Sequence, residues 1–137
     1  METMRTILLA AAAAILATFS HASAASRAEL AGSEIRRSAS LAPWMRYEVL
    51  HLKADGSFEG NYESARPIRH GEVRRSGDLQ GRWTLHDGEL CLEGRNLAHP
   101  GRNCYRLKKG GYSKNQWSGL NTRTGDVWQF FLYPRGR

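Results

Sequence analysis

Cys91 and Cys104 carry the two thiols of the chain, and His86 and Asp87 lie just before the first of them in GRWTLHDGELCLEG, Gly81 to Gly94. Three chemistries suit such a set: a thiolate nucleophile activated by the histidine, a zinc site, or a disulfide. The nucleophile is disfavoured because His86 stands beyond the Asp87-Gly88 turn signal and no further cysteine is present to resolve an intermediate. Zinc is disfavoured because His51, His70, His86 and His99 are scattered without ligand spacing and the cysteines are neither close nor doubled. A structural bridge is the expectation, and it can be tested by parity. In ELCLEG, Leu90 and Leu92 share one face and Glu89, Cys91 and Glu93 the other; in RNCYRLKK, Tyr105 and Leu107 oppose Cys104, Arg106 and Lys108. Setting Cys91 opposite Cys104 on antiparallel strands also sets Glu89 against Arg106, Glu93 against Arg102 and Leu90 against Tyr105, all favourable neighbours. A slip of one residue would put leucines against charges. The bridge is therefore expected on the polar face, where closing a loop of this size contributes about 3 kcal/mol in the chain-entropy model.

The carboxylates offer little acid–base chemistry. Asp55 and Asp87 are accounted for by turns, while Glu59 with Glu63 and Glu89 with Glu93 are same-face strand residues with basic neighbours. No pair sits in an apolar setting of the kind that separates an acid from a base. The GxSxG elbow, the phosphate-cradling glycine loop and HExxH do not occur. The sequence predicts a protein that is not an enzyme and carries no cofactor and no metal.

The chain has a net charge of +7, which favours anionic partners without naming one. The charge is densest in SARPIRHGEVRRSG, where Arg66, Arg69, Arg74 and Arg75 crowd a segment without apolar periodicity that reads as a mobile loop. Aromatic residues interleaved with basic ones (Trp44, Tyr47, Phe58, Tyr62, Trp83, Tyr105, Trp117 and Trp128) raise the question of base stacking. Parity answers against it, since Trp83 shares a face with Leu85, and Trp128 with Phe130 and Leu132. Tyr47 and Val49 are expected to join them in lining an interior.

These residues need elements to hold them. Short alternating runs broken by turn pairs point to antiparallel sheet. Leu30 to Arg37 opens the series, ASRAEL before it allowing one helical turn. MRYEVLHLKADGSFEGNY reads as two strands joined at Asp55-Gly56; Asp87-Gly88 and Gly110-Gly111 repeat the device, and DVWQFFLYP ends at Pro134. The expected fold is all-β, an antiparallel meander of about eight strands forming a small closed or half-open barrel with one disulfide, with a two-sheet sandwich as the alternative. Such a barrel is either filled by side chains or just wide enough for one small ligand.

The first residues, METMRTILLAAAAAILATFSHASA, have the layout of a secretory signal peptide, with Arg5 before an apolar run and Ala22, Ser23 and Ala24 at the cleavage point. The run is shorter than the roughly 20 residues a membrane span takes. A retained anchor or buried helix is the alternative, and a start at Met4 would remove the odd Glu2. The expected organisation is a leader over 1–24 and one domain over 25–137, in the periplasm or secreted, without stable membrane insertion after cleavage. That setting allows disulfides and removes the usual nucleic-acid partners.

Leu30 with Gly32, Asp55-Gly56, Gly81 with Trp83, and Asp87, Leu90 and Cys91 with Cys104 together resemble a pattern of small exported domains of Gram-negative bacteria with a lipocalin-like or barrel-like fold. The resemblance implies fold and location and brings no catalytic residue; the Arg66 to Arg75 segment departs from the pattern. The expected function is an exported binding module that takes a small amphipathic or anionic molecule at a barrel mouth, through Arg66, Arg69, Arg74, Arg75, Trp44 and Trp128. The alternative is a basic interaction protein holding an anionic envelope surface or a protein partner, a protease inhibitor among them.

Overall fold

The computed structural model describes residues 25–134; the expected leader and its cleavage point lie outside them. A single helical turn, α1 (Arg27–Leu30), precedes eight strands: β1 (Glu34–Leu41), β2 (Trp44–Leu52), β3 (Ser57–Ile68), β4 (Gly71–His86), β5 (Glu89–Arg95), β6 (Asn103–Lys109), β7 (Gln116–Asn121) and β8 (Val127–Tyr133). Each pairs antiparallel with the next, and β8 returns to β1, Ile35 opposite Leu132 and Arg37 opposite Phe130. Closure leaves no free edge in the barrel wall, while the outer part of the β3–β4 hairpin pairs only with itself. The expected meander is thus a closed barrel.

Local chemistry sets the turns. At the β2–β3 link, Asp55 Oδ1 accepts from the Ser57 amide at 2.8 Å and from its hydroxyl at 2.6 Å, and Gly56 takes φ +90°. At the β4–β5 link Asp87 and Gly88 both have positive φ, 49° and 77°, as a two-residue hairpin turn of the primed type needs. The third glycine signal behaves differently. Gly110-Gly111 opens a longer link running to Asn115, in which the amide of Tyr112 donates to Gln116 Oε1. The first strand also begins later than Leu30, because Ser26 caps the turn before it, its hydroxyl accepting from the Glu29 amide at 3.1 Å.

The arginine-rich segment is no loop. Its residues continue the β3–β4 ladder, with Ser64 opposite Arg75, Ala65 opposite Arg74, Arg66 opposite Val73 and Ile68 opposite Gly71. Apolar periodicity is missing because this hairpin rises past the last β2–β3 pair, Met45 with Ala65, leaving no core for either face to cover. Backbone pairing carries it instead.

The disulfide register is as expected: Cys91 faces Cys104, Glu89 faces Arg106 with a 3.5 Å ion pair, and Leu90 faces Tyr105. Glu93 and Arg102 do not extend the ladder, which stops at Leu92 with Asn103. Asn103 is wholly buried there and its amide nitrogen donates to the carbonyls of His99 and Gly101, so the chain bends away before Arg102 can pair.

The interior corrects one parity expectation. Trp83, Trp128, Phe130 and Leu132 point inward, but on β2 Tyr47 is 54% exposed while Arg46, Glu48, Leu50 and Leu52 are buried. Leu50 and Leu52 outweigh Val49 as apolar surface, and Arg46 and Glu48 enter with them because opposite charges can be buried together. Room for large rings comes from glycine: a side chain at Gly119 would collide with the Phe130 ring.

The two ends of the barrel differ. The end holding α1 is plugged by Leu30, fully buried, with Arg27 stacked 4.5 Å from the Trp83 ring centroid and the Trp83 indole donating to the Lys53 carbonyl at 2.8 Å. The opposite end, where β1 meets β2 and the β3–β4 hairpin rises, is the mouth.

Candidate functional site

Strand direction brings Leu41 and Trp44, the upper parts of β3 and β4, and the connection between β5 and β6 to this mouth. They surround a cavity of about 290 Å³ lined by Leu41, Trp44, Arg46, Tyr62, Ser64, Arg75, Ala98 and His99. Two arginines and no carboxylate belong to this lining.

Trp44 stands on the wall between two guanidinium groups, Arg75 at 4.7 Å and Arg66 at 5.3 Å from its ring centroid. Below it, the Arg46 guanidinium lies 4.0 Å from the Tyr62 ring centroid. Tyr62 is held in that position by Gly77 opposite it, where an added Cβ would come within 2.8 Å of the ring. A cation over an aromatic face contributes about 0.5–1 kcal/mol when exposed and about 2 kcal/mol when desolvated.

Arg46 reaches down into a buried ionic cluster. Its Nε donates to Glu48 Oε2 at 2.6 Å, and Glu48 Oε1 lies 2.6 Å from Arg37 on β1. Arg37 is enclosed by three rings, with its guanidinium carbon 4.1 Å from the centroid of Trp128, 4.5 Å from Tyr105 and 5.4 Å from Phe130. Burial by itself would lower the Arg37 pKa, but Glu48 and Tyr105 outweigh it and raise the group above its ordinary value. The middle of the barrel is thus filled by a charged side chain in an aromatic cage, and any ligand stops above it.

The wall opposite Trp44 is tied down by polar contacts. Arg46 donates to the Asn96 carbonyl, and the Asn96 side chain donates to the Asp78 carbonyl at 2.8 Å. Asn103 Oδ1 accepts from Arg123 at 2.6 Å and from Asn121 at 3.3 Å. His99 Nε2 is 2.6 Å from Asp126 Oδ2. His99 and Ser64 line the same cavity, and no hydrogen bond joins them among the described residues. The cluster of Glu89, Cys91 and Cys104 offers no metal site either, its sulfurs being bonded to each other.

Of the candidate ligand-binding residues, the structure brings Trp44, Arg66 and Arg75 together at the mouth. Arg69 occupies the exposed turn between β3 and β4. Arg74 points to the outer face, pairing with Glu72 and bordering an adjoining depression with Tyr47, Glu63 and Ser76; Arg75 and Ser64 line both this depression and the cavity. Trp128 lies beneath the site as part of the Arg37 cage, fully buried. Arg46, Tyr62, Ala98 and His99 are additions to the site. The alternation Arg46, Glu48, Leu50, Leu52 is the signal that could have found the first of these: charges that share a strand face with buried leucines must go inside with them. No protein-family model matches the chain, and no curated protein matches it.

Proposed function

We propose that this is an exported, non-enzymatic binding module that takes a small amphipathic or anionic molecule at the barrel mouth. The observation that carries the reading is the lining of the 290 Å³ cavity, which joins two arginines to Trp44, Tyr62 and Leu41 and contains no carboxylate. Its volume suits one small ligand, just under the roughly 300–1,000 Å³ usual for such sites. The hydrogen-bonded wall supports binding to a preformed surface, which lowers the ordering cost of association. The Cys91–Cys104 bridge supports an oxidising compartment, periplasmic or extracellular.

Tryptophan emission during titration with decanoate and with 2-naphthoate tests the proposal. A saturable change is expected with at least one of them, reduced in Trp44→Phe and in Arg75→Ser. The absence of any saturable change with both would contradict it.

A second reading rests on a different feature. The rising hairpin carries Arg66, Arg69, Arg74 and Arg75 around Ile68, which is 48% exposed, and this suits adhesion to an anionic envelope surface. Replacing the four arginines by serine should abolish salt-sensitive binding to dextran sulfate, while unchanged binding would remove the hairpin from consideration.

A further inference from the structure

The cluster of Arg37, Glu48 and Arg46 sets two guanidinium groups against one carboxylate, a net buried charge of plus one. Arginine remains protonated throughout the accessible pH range, so neither guanidinium relieves the excess by losing a proton. The side chains of Arg37 and Glu48 are wholly enclosed, and Arg46 is nine-tenths enclosed, its small accessible remainder forming part of the cavity lining. Two further donors in the cage, Arg37 Nη1 and Trp128 Nε1, are sealed from solvent without an acceptor among the described residues. Of the acidic groups elsewhere at this end, Asp126 holds His99 and Thr124, Glu72 pairs with Arg74, and Glu63 is exposed on the outer depression; none of the three lines the cavity. Uncompensated buried charge is costly, and of the three side chains in the cluster it is Arg46 that borders the cavity, so a counter-charge seated at the mouth meets the cluster there.

Resting on the mouth-binding reading, we infer that the ligand carries a single anionic group seated on Arg46 and an apolar, flat body lying against Leu41, Trp44 and Tyr62. That group supplies the negative charge the cluster lacks. Because Glu48 is shared between Arg46 and Arg37, occupation of the mouth also stabilises the middle of the barrel, and ligand affinity and thermal stability are linked. Arg46 is the ligand contact; Glu48 is a positioning residue that fixes the Arg46 guanidinium toward the cavity.

Calorimetric titration with 2-naphthoate, with its neutral isostere 2-naphthamide and with inorganic phosphate tests this, together with melting temperatures in each. Naphthoate should bind at least about tenfold more tightly than the amide, with phosphate weaker than both, and should raise Tm. Arg46→Gln, which leaves Arg37 and Glu48 as a neutral pair, should abolish both the preference and the Tm increase; Arg46→Lys should restore part of each. Arg75→Ser, at the exposed rim, should weaken naphthoate while keeping the preference over the amide. Equal binding of naphthoate and naphthamide, or a preference that survives Arg46→Gln, would overturn the charge inference while leaving mouth binding intact. Phosphate binding as tight as naphthoate would overturn the apolar body. Failure of naphthoate and naphthamide alike while decanoate binds would overturn the flat body of the inference, and failure of all three would overturn the inference and the mouth reading together.

Discussion

The two ends of this barrel use the same materials, arginine over tryptophan, to opposite effect. At the plugged end Arg27 covers Trp83, whose indole hydrogen bonds to the Lys53 carbonyl, and Leu30 seals the space beneath; the tryptophan is 1% exposed. At the mouth, Arg66 and Arg75 flank Trp44, which remains partly open beside a cavity. Where a ring is roofed by a helix and given an acceptor for its N–H, it is a structural element. At the mouth, rings and cations line an open space whose lining holds no carboxylate. Between the ends, the interior grades from leucine through an aromatic cage to charged and amide side chains.

Truncating the tryptophan at each end separates the two roles most sharply. Trp83→Ala should destabilise the fold by about 3–5 kcal/mol through the cavity it leaves, whereas Trp44→Ala should cost about 0.5–1 kcal/mol and impair ligand binding. Denaturant titration distinguishes them, and equal losses would remove the division between a structural and a binding end.

The graded middle gives a second contrast of similar size. Glu48→Ala leaves two enclosed guanidinium groups without a counter-charge and should cost about 3–5 kcal/mol. Replacing the whole cluster, Arg37→Met with Arg46→Met and Glu48→Leu, should recover most of that stability while abolishing the preference for an anionic ligand. Loss of stability in the triple variant equal to that in Glu48→Ala would show that the cluster is a structural necessity of the barrel.

Much of this was legible in the sequence. The Asp55-Gly56 and Asp87-Gly88 turns, the strand meander, the Cys91–Cys104 register and the inward tryptophans follow from local rules of turn chemistry and period-two alternation. Those rules weaken where competing patterns have similar strength. On β2, Tyr47 and Val49 competed with Leu50 and Leu52 for the inner face, and the charges of Arg46 and Glu48 spoke against the second set because their buried partner, Arg37, lies eleven residues from Glu48 on another strand. In the hairpin from Arg66 to Arg75, backbone pairing forms strands that hydrophobic pattern cannot reveal. The cavity walls from Asn96 to His99 depend on Asn103 and Arg123, contacts that no local pattern contains. Candidate residues chosen by charge density therefore fell partly inside the site, Arg66 and Arg75, and partly outside it, Arg69 and Arg74.

Two smaller effects sharpen the comparison further. Replacing both cysteines by alanine should lower stability by about 3 kcal/mol at most, and because the bridge joins β5 to β6 just below the mouth wall, hydrogen exchange should rise at Asn96 to Asn103 before it rises around Trp83. At the plugged end, hydrogen bonds from Ser57 hold the Asp55 pKa below its ordinary 3.8. A carboxylate lowered on folding contributes stability above its unfolded pKa and loses it as the pH falls through the folded value. Asp55→Asn should therefore flatten the stability loss below about pH 4 and leave the neutral-pH ligand affinity unchanged, as measured by melts across pH.

The most direct measurement is a nitrogen-15 NMR titration of the protein with 2-naphthoate, following the indole N–H groups of the four tryptophans and the Nε–H of Arg46. The account predicts saturable shifts at Trp44 and Arg46, with Trp83 and Trp117 unmoved. Shifts centred on Trp83 or Trp117, or none at Trp44 and Arg46, would contradict it.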